Sequence, residues 1–371
     1  MHIDYLITGG AGFIGCSLAT ALLRPGATPL PAIVAVDNLH SQVHPSRERP
    51  TALPGSVDLQ VFDVCDGDAW DALLARVRPR AVVHLAAETG TGQSLDLPTR
   101  HTHTNVTGTA AMLEAFDRAG HAPEHILLTS SRAVYGEGEW RDPVSGAPVR
   151  PGLRSREQLA RGEFGFVGAS GQAAVPLAHD QQQTRPAPTS VYGATKLAQE
   201  HILDAWCAAR STALSVMRLQ NVYGVGQSPF NPYTGIIGLF HRIAAQGQAI
   251  EVYEDGQIGR DFVAIDDVTA ALTLALRHAP AGRRTLDVGS GKAMTVLEAA
   301  QTIAGLYDAP APRISGAFRN GDIRWAVCSP EGLAAELGFR ATVDFLPGNL
   351  ALSNWLHAMG VIDRAARAQS A

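Results

Sequence analysis

The first half of the chain alternates short, continuous apolar segments with longer segments of helical periodicity. The apolar segments include YLITG, AIVAVD, AVVHLAA and HILLTSS, and helix-like segments such as FIGCSLATALL and TNVTGTAAMLEAFDRAG lie between them. Because their apolar residues run on without polar alternation, these strands are expected to be covered on both faces, as in a parallel sheet with helices on each side. The sequence therefore predicts an α/β fold with a doubly wound sheet, which binds ligands at the carboxyl ends of its strands.

A glycine-rich turn, ITGGAGFIG, joins the first strand to the first helix and contains Gly9, Gly10, Gly12 and Gly15. Residues without a Cβ let backbone N–H groups at a helix N-terminus approach a pyrophosphate, and the last glycine lets the helix pack on the strand. Such a pattern alone also fits a simple tight turn. Between a strand and a helix it predicts a dinucleotide site of the Rossmann type.

The second strand ends in Asp37, which lies 22 residues beyond Gly15. A carboxylate there accepts hydrogen bonds from both ribose hydroxyls of an adenosine and repels a 2′-phosphate, so NAD is favoured over NADP. Asp63 is expected either to contact the adenine amine or to cap the next helix, and His84 is expected to be a packed structural histidine. The residues predicted to bind the cofactor are Gly9, Gly12, Phe13, Ile14, Gly15, Asp37, Asn38, Asp63, Val64, Leu85, Ala86, Ala87, Tyr192 and Lys196.

The tripeptide Val-Tyr-Gly occurs three times, and spacing selects one of its tyrosines as a candidate general base. Tyr192 is followed four residues later by Lys196, whereas Tyr135 and Tyr223 have Glu and Gln at that distance. Residues four apart share a helix face, so the ammonium is expected to stabilise the phenolate and lower the pKa of Tyr192. The Tyr192–Lys196 pair alone could also occur by chance on the surface of a helix over 190–210. Together with an NAD site, the pair predicts a catalytic role for Tyr192.

Composition excludes several classes of partner. The chain has 371 residues and a net charge of −5, with no Lys/Arg block for nucleic acid or an anionic membrane. No segment offers about 18 uninterrupted apolar residues, and no signal peptide precedes the first strand. The four cysteines are far apart and form no CxxC pair, as in a reducing compartment. A cytoplasmic protein with a small-molecule partner and no metal is expected.

The later segments predict a smaller α/β substrate lobe interwoven with the first domain. A helix capped by Ser190 and the strand ALSVMRL complete the first sheet, and a mixture of loops, helices and short strands follows. The predicted organisation is an NAD-binding domain at 1–220 and 260–290 with an insertion at 136–188, a smaller substrate lobe at 221–259 and 291–360, and a tail at 361–371.

Motifs along nearly the whole chain, the insertion excepted, resemble one family. TGGAGFIG, AVD, HLAAETG, NVTGT, TSSRAVYG, YGATK, RLQNVYG, GRDFVAIDDV and GDIR occur in that order. The chain is thereby similar to the extended short-chain dehydrogenase/reductase family, and specifically to its NAD-dependent nucleotide-sugar epimerases and dehydratases. The resemblance implies NAD, a nucleoside-diphosphate sugar as substrate, and a homodimer formed by helices near 105–120 and 190–210.

The resemblance also implies roles for individual residues. Ser131 is expected to hydrogen-bond the reacting sugar oxygen, Tyr192 to act as the base, and Lys196 to hold the nicotinamide ribose. Asn221 is expected near the sugar or the diphosphate, and Arg260 and Arg324 at the diphosphate, where guanidinium geometry suits phosphate oxygens. Each arginine could instead be a salt-bridge residue. The predicted substrate-binding residues are Thr89, Ser131, Arg132, Asn221, Arg260 and Arg324.

The two residues after Ser131 indicate the reaction. In the family's 4,6-dehydratases this position carries Asp and Glu, which eliminate water across carbons 5 and 6 of the sugar, whereas this chain has Arg132 and Ala133. Neither can supply that acid–base chemistry, so a 4-epimerase is expected. The segment RLQNVYGVGQSPFNPYTG and the insertion are similar to those of the 6-deoxyhexose branch, most of all dTDP-L-rhamnose 4-epimerases. Alternatives are a nucleotide-sugar 4-ketoreductase or dehydrogenase, and a catalytically silent NAD-binding regulator.

The insertion at 136–188 is expected to lack a structural metal. Relatives with an insertion here carry paired-cysteine knuckles, by resemblance, but this chain has Asp142, Ser145, Val167 and Ser170 at the comparable spacings. Without soft ligands a structural zinc is disfavoured. The insertion is expected to pack as a lid.

Overall fold

The computed structural model describes residues 1–24, 29–228 and 235–363. The strands in chain order are β1 (His2–Thr8), β2 (Ile33–Asp37), β3 (Asp58–Val61), β4 (Arg78–His84), β5 (His125–Ser131), β6 (Trp140–Arg141), β7 (Pro148–Val149), β8 (Val175–Pro176), β9 (Ala213–Leu219), β10 (Asn221–Tyr223), β11 (Glu251–Val252), β12 (Gly259–Ala264), β13 (Arg283–Val288), β14 (Ala293–Thr295), β15 (Arg313–Ile314) and β16 (Trp325–Ala326). The helices are α1 (Phe13–Leu22), α2 (Gly67–Leu74), α3 (Thr91–Asp96), α4 (Pro98–Thr102), α5 (Gly108–Arg118), α6 (Arg156–Ala160), α7 (Val191–Arg210), α8 (Ile236–Ala245), α9 (Ile265–Arg277), α10 (Val296–Leu306), α11 (Glu331–Leu337) and α12 (Phe345–Ala358).

Seven parallel strands form the central sheet in the order β3-β2-β1-β4-β5-β9-β13, which confirms the doubly wound fold. Neighbouring residues of β1 show why its apolar run is continuous. Leu6 packs into the core on one face with Trp70 and Phe116, and Ile7 packs into the core on the other face with Leu272. Both faces are therefore buried under helices, as the sequence predicts.

The strand order reverses between β1 and β4. Thr8 at the end of β1 lies beside His84 at the end of β4, with β2 on the far side of β1. Open α/β sheets bind ligands at such a switch point, because the connections leaving the two strands go to opposite faces and open a crevice. The glycine turn that follows β1 occupies this edge of the sheet.

The smaller lobe has its own core around α8, α10 and α12. Phe240, Ile303 and Leu356 pack there with residues of β12, which pairs with β10, β14 and β16. The domain boundary predicted at 260 falls inside β12, which pairs within the smaller sheet, whereas α9 packs against α1 and β13 pairs with β9 of the central sheet. Of the predicted tail at 361–371, residues 364–371 lie outside the described residues.

The insertion forms a small sheet of its own, in the order β7-β6-β8, with the short helix α6. Arg154 anchors it to the smaller lobe through an ion pair with Glu254, at 2.8 Å, and also pairs with Glu137 inside the insertion, at 3.2 Å. Arg154 is only 3% exposed, so these pairs are shielded from solvent. The insertion is thus a docked structural unit.

Asp142 joins two turns of the insertion. These turns contain the positions that correspond to cysteine knuckles in relatives, namely Asp142, Ser145, Val167 and Ser170. The Oδ1 of Asp142 accepts hydrogen bonds from the N–H groups of Val144 and Ser145, both at 2.9 Å, and its Oδ2 accepts one from the N–H of Ser170, at 2.7 Å. These hydrogen bonds hold the pKa of the carboxyl well below its usual range. A Cβ at Gly168 would lie 2.3 Å from Oδ2, so the second turn closes directly on the carboxylate.

Within the described residues, no helix is long and apolar enough to cross a membrane, and no group of three or more His, Cys, Asp or Glu could hold a metal ion.

Replacing Asp142 by Ala is expected to lower the melting temperature, because three backbone N–H groups in a closed space lose their acceptor. Since the folded-state pKa is depressed, this stabilisation is present at pH 7 and is lost only as pH falls through the folded-state value. Thermal denaturation of the variant at pH 7 and under acid conditions measures both effects. Glu163→Ala is the matched control, since Glu163 pairs with Arg161 on the exposed surface of the same insertion. Equal melting temperatures for the two variants would contradict the assignment.

Candidate active site

A cavity of about 1170 Å³ opens at the carboxyl ends of the central strands. It extends from the glycine turn across β4 and β5 to the start of α7 and to β10. A cavity this large has room for more than one small ligand. The predicted site residues that line it are Gly9, Gly12, Phe13, Ile14, Gly15, Asp37, Asn38, Val64, Leu85, Ala86, Ala87, Thr89, Ser131, Arg132, Tyr192, Lys196 and Asn221.

The glycine turn is closely packed against its neighbours. Gly9 has φ +65°, and a Cβ there would lie 2.8 Å from the backbone nitrogen of Ala86. A Cβ at Gly15 would lie 2.6 Å from the carbonyl oxygen of Gly10. No side chain caps α1, which begins just after Gly12, so its first N–H groups remain available to an anion. This cradle fits the pyrophosphate of a dinucleotide.

Asp37 lies at the ribose end of this cradle. Its Oδ2 accepts a hydrogen bond from the N–H of Ala11 at 3.1 Å, and its Oδ1 accepts one from the N–H of Leu39 at 2.9 Å. These bonds fix the carboxylate at the cavity wall, where its other lone pairs can accept ribose hydroxyls. Together with the glycine turn, this donor and acceptor set fits NAD.

Asp63 does not cap α2, and its expected contact with the adenine amine stays a prediction. The cap of α2 is Asp66, whose carboxylate accepts the N–H of Ala69 at 3.0 Å. Asp63 instead accepts a hydrogen bond from the side-chain amide of Asn38 at 2.9 Å, and Asn38 is the member of the pair that lines the cavity. Burial raises the pKa of Asp63, but hydrogen bonds from Cys65 and Asn38 outweigh it and lower the pKa overall.

A buried polar chain lies beneath the cavity, between Lys196 and the core. The Lys196 Nζ donates to Gln199 Oε1 at 2.5 Å, and the amide nitrogen of Gln199 donates to Thr109 at 2.8 Å. His84 contacts Thr109 at 2.9 Å and Thr8 at 2.7 Å, and burial lowers its pKa to about 3. His84 is therefore a neutral, packed histidine, as predicted. Burial also lowers the pKa of Lys196 to about 7.

Tyr192 lies in the first turn of α7. The predicted cap is confirmed, since Ser190 Oγ accepts the N–H of Gly193 at 3.1 Å. Burial raises the pKa of the Tyr192 phenol, while a hydrogen bond with Ser131 and the positive charge of Arg132 oppose that shift. The Lys196 ammonium donates to Gln199 in this structure, and its expected effect on the pKa of the phenol stays a prediction. Arg132 is a further cation, whose charge lowers the pKa of the phenol.

Ser94 and Asn105 hold α7 against the loop after β4, although the sequence predicted only that the loop from Thr89 to Ser94 (TGTGQS) lines the sugar end. Ser94 Oγ accepts the backbone N–H of Tyr192 at 3.0 Å. Asn105 accepts the N–H of Glu88 at 2.8 Å and donates to Thr195 Oγ1 at 2.9 Å. Asn105 lies in a π-helical turn over 103–107, a rare element that often occurs at functional sites. Their motifs, TGTGQS and NVTGT, were the available signal.

The other two Val-Tyr-Gly tyrosines are structural. The Tyr135 hydroxyl donates to Asp287 at 2.9 Å and accepts from Arg218 at 2.8 Å, and burial raises its pKa strongly. The Tyr223 hydroxyl lies 3.4 Å from the carbonyl oxygen of Phe345, and burial raises its pKa as well. Neither lines the cavity.

The structure does not bring Arg260 and Arg324 to the cavity. Arg260 pairs with Asp322 at 2.7 Å and donates to the carbonyl of Ile323, also at 2.7 Å. Arg324 Nη1 lies 2.6 Å from Asp255 and 2.9 Å from Glu254. Carboxylates pair with both guanidinium groups in this structure, and the expected contacts with the diphosphate stay predictions. The salt-bridge alternative describes both arginines in this structure, in a buried rather than a surface setting.

Comparisons with known proteins agree with this geometry. Residues 5–152 and 156–289 match the model of the NAD dependent epimerase/dehydratase family. A curated relative from Burkholderia thailandensis, dTDP-L-rhamnose 4-epimerase, is 48% identical over 351 residues, which are 95% of this chain and 94% of that protein.

Solved structures of similar fold include two UDP-glucose 4-epimerases. The Thermus thermophilus enzyme in complex with NAD has a TM-score of 0.74 and 25% identity, covering 96% of this chain and 99% of its own. The Thermotoga maritima enzyme with UDP-glucose has a TM-score of 0.75 and 23% identity, covering 97% and 99%, and shows the fold. Similarity extends over both lobes in each case.

Replacing Asp37 by Ala is expected to weaken NAD binding roughly 10- to 100-fold, since hydrogen bonds to a charged group contribute about 1.5–3 kcal/mol. The preference for NAD over NADP is expected to narrow as well, because the charge that repels a 2′-phosphate is lost. Calorimetric titration of cofactor-free protein with each dinucleotide measures both effects. Asp58→Ala, at an exposed position of β3, is the control. An unchanged NAD affinity in the Asp37 variant would exclude the carboxylate from the ribose site.

Proposed function

The chain belongs to the NAD dependent epimerase/dehydratase family, and from that premise we propose that it epimerises a nucleoside-diphosphate sugar at carbon 4. The observation that carries the proposal is the group formed by Ser131, Tyr192 and Lys196 on the wall of a cavity that fits NAD. The enzyme is then an isomerase, which returns its cofactor to the starting state in every cycle.

Tyr192 is the proton-transfer group of the proposed mechanism. Ser131 hydrogen-bonds the oxygen on carbon 4 and the phenol of Tyr192, which takes the hydroxyl proton as the hydrogen on carbon 4 leaves as hydride. Bound NAD supplies the acceptor of that hydride and later its donor. The resulting 4-keto sugar rotates in the cavity. Once hydride has reached the opposite face of carbon 4, Tyr192 returns the proton to the oxygen on that carbon. Lys196 would hold the nicotinamide ribose, and the N–H groups of the glycine turn the pyrophosphate.

The residues after Ser131 support epimerisation over dehydration. Eliminating water across carbons 5 and 6 needs an acid and a base beside the sugar, whereas Arg132 remains protonated near neutral pH and Ala133 has no polar side chain. Oxidation and re-reduction at carbon 4 need neither.

The substrate that we propose is dTDP-L-rhamnose, converted to dTDP-6-deoxy-L-talose. The support is the 48% identity to the Burkholderia thailandensis dTDP-L-rhamnose 4-epimerase over 95% of this chain. A nucleotide sugar would extend from the Tyr192 phenol toward Asn221 and the smaller lobe.

The proposal also includes a cytoplasmic homodimer formed through α5 and α7. These helices lie side by side, and a surface group joins them, in which Arg210 and Trp206 donate to Asp117. Light scattering of the purified protein tests the dimer.

Incubation with a panel of nucleotide sugars without added cofactor tests the reaction class. We expect net isomerisation of dTDP-L-rhamnose by protein that retains its NAD, followed by NMR of the sugar. Conversion that requires stoichiometric reduced cofactor would instead identify a 4-ketoreductase. If the protein converts none of the sugars, the remaining interpretation is a catalytically silent NAD-binding regulator.

Replacing Tyr192 by Phe is expected to lower the rate of turnover by about 10²-fold or more. NAD is expected to stay bound, because only the proton-transfer group is lost. Initial rates and the NAD content of the purified variant measure this. Tyr253→Phe, which removes a hydroxyl outside the cavity, is the control and is expected to be active. Near-normal activity of the Tyr192 variant would refute the assignment.

A further inference from the structure

Arg132 lies in the cavity wall directly after Ser131, in a 3-10 turn over 132–135. Among the described residues its only hydrogen bond runs from Nε to Asn221 Oδ1, at 2.6 Å. Its Nη1 is enclosed and has no partner within the described part of the chain. A guanidinium has five N–H donors, so most of the hydrogen-bonding capacity of this one is unused.

Burial without partners is costly for a cation. Burial lowers the pKa of Arg132 to about 9, and the charge of Arg260 adds to that shift, while Asp322, Tyr192 and Glu137 oppose it. The nearby carboxylates are already committed, Asp322 to Arg260 and Glu137 to Arg154. An enclosed cation with unpaired donors is expected to gain more from a ligand oxygen than a solvated one.

We propose that Arg132 is a substrate-binding catalytic residue whose Nη2 amino group donates to an oxygen of the sugar beside carbon 4, and that Asn221 is the positioning residue that orients its guanidinium. The proposal rests on the proposed 4-epimerase function. It assigns the ligand to the sugar and not to the diphosphate.

Position along the substrate favours the sugar. The oxygen on carbon 4 must lie at Ser131 and the Tyr192 phenol, and the diphosphate is attached at carbon 1, across the pyranose ring from carbon 4. Arg132 follows Ser131 in sequence, and its charge acts on the same phenol. Arg132 also lines the same cavity as Ser131 and Tyr192, which favours contact with the reacting end of the sugar.

The charge has a catalytic consequence. As the hydroxyl proton moves to Tyr192, negative charge develops on the oxygen at carbon 4 while hydride departs. A fixed cation beside that oxygen stabilises the transition state more than the neutral ground state. Asn221 contributes by accepting from Nε, which holds the guanidinium in place and leaves Nη2 for the sugar.

Arg132→Met is expected to lower kcat roughly 10²-fold, the usual effect of removing one donor to a developing oxyanion, with NAD still bound. Arg132→Lys, which keeps the charge but loses the planar fork, is expected to recover part of that loss. Asn221→Ala is expected to have a smaller effect, and the Arg132→Met/Asn221→Ala double variant to be no slower than Arg132→Met, since the two residues act as one unit. Arg150→Met, which removes an exposed arginine paired with Glu139, is the control.

The pH profile gives a readout that a purely structural role would not change. The groups that face the phenol are Ser131, Arg132, Lys196 one helical turn away and the ring of His101, whose pKa burial lowers. Loss of the Arg132 charge raises the pKa of the phenol, and activity needs the phenolate. The acid limb of the kcat profile is therefore expected to move to higher pH in Arg132→Met and to stay in place in Arg132→Lys.

Calorimetry with dTDP and with dTDP-L-rhamnose separates the two ends of the substrate. Weaker binding of dTDP-L-rhamnose to Arg132→Met, with dTDP affinity unchanged, supports the proposal. An equal loss of affinity for both ligands would assign Arg132 to the diphosphate. Affinities for both ligands that match those of Arg150→Met would show that Arg132 contacts neither end of the substrate. Either result overturns the proposal. If wild-type protein epimerises no sugar, the proposed function fails, whereas this binding difference still decides whether Arg132 contacts the sugar.

Discussion

The close approach of the glycine turn to the neighbouring strands is the constraint on which the site depends. Gly9 lies against the backbone of Ala86, and a Cβ at Gly10 would lie 2.6 Å from the Cβ of Ala35. The turn is thereby fixed between the ends of β2 and β4, so that the start of α1 points into the crevice at the switch point. The ends of β2 and β5, which carry Asp37 and Ser131, then face the same cavity as the turn.

Buried polar groups fix the catalytic helix on the other side of that cavity. Arg218 and Glu200 form an ion pair at 2.6 Å, and Ser130 donates to Glu200 at 2.5 Å, so α7 is joined to β5 and β9 by charge as well as by packing. Each of these groups would be costly to bury alone, and together they satisfy one another. Such a network specifies one position of α7 along the sheet, and with it the position of the Tyr192 phenol.

Local sequence patterns predicted the features of the fold that depend on residues close together in the chain. The continuous apolar runs identified the central strands, and the Ser190 cap identified the start of α7. The partners of Arg260 and Arg324 could not be predicted in this way, because Asp322, Asp255 and Glu254 approach them only after the smaller lobe has folded. The same holds for Arg132, whose sequence position excluded a dehydratase pair but did not reveal its contact with Asn221.

The insertion had little periodicity because its strands are two residues long and its order comes from a few side chains. One of them, Asp142, joins the two turns through three backbone N–H groups. The segment from 136 to 188 contains no cysteine. A zinc knuckle needs both a metal ion and reduced thiolates. The carboxylate of Asp142 needs neither. The two turns of this unit are thus joined by a carboxylate and backbone N–H groups, with no sulfur ligand.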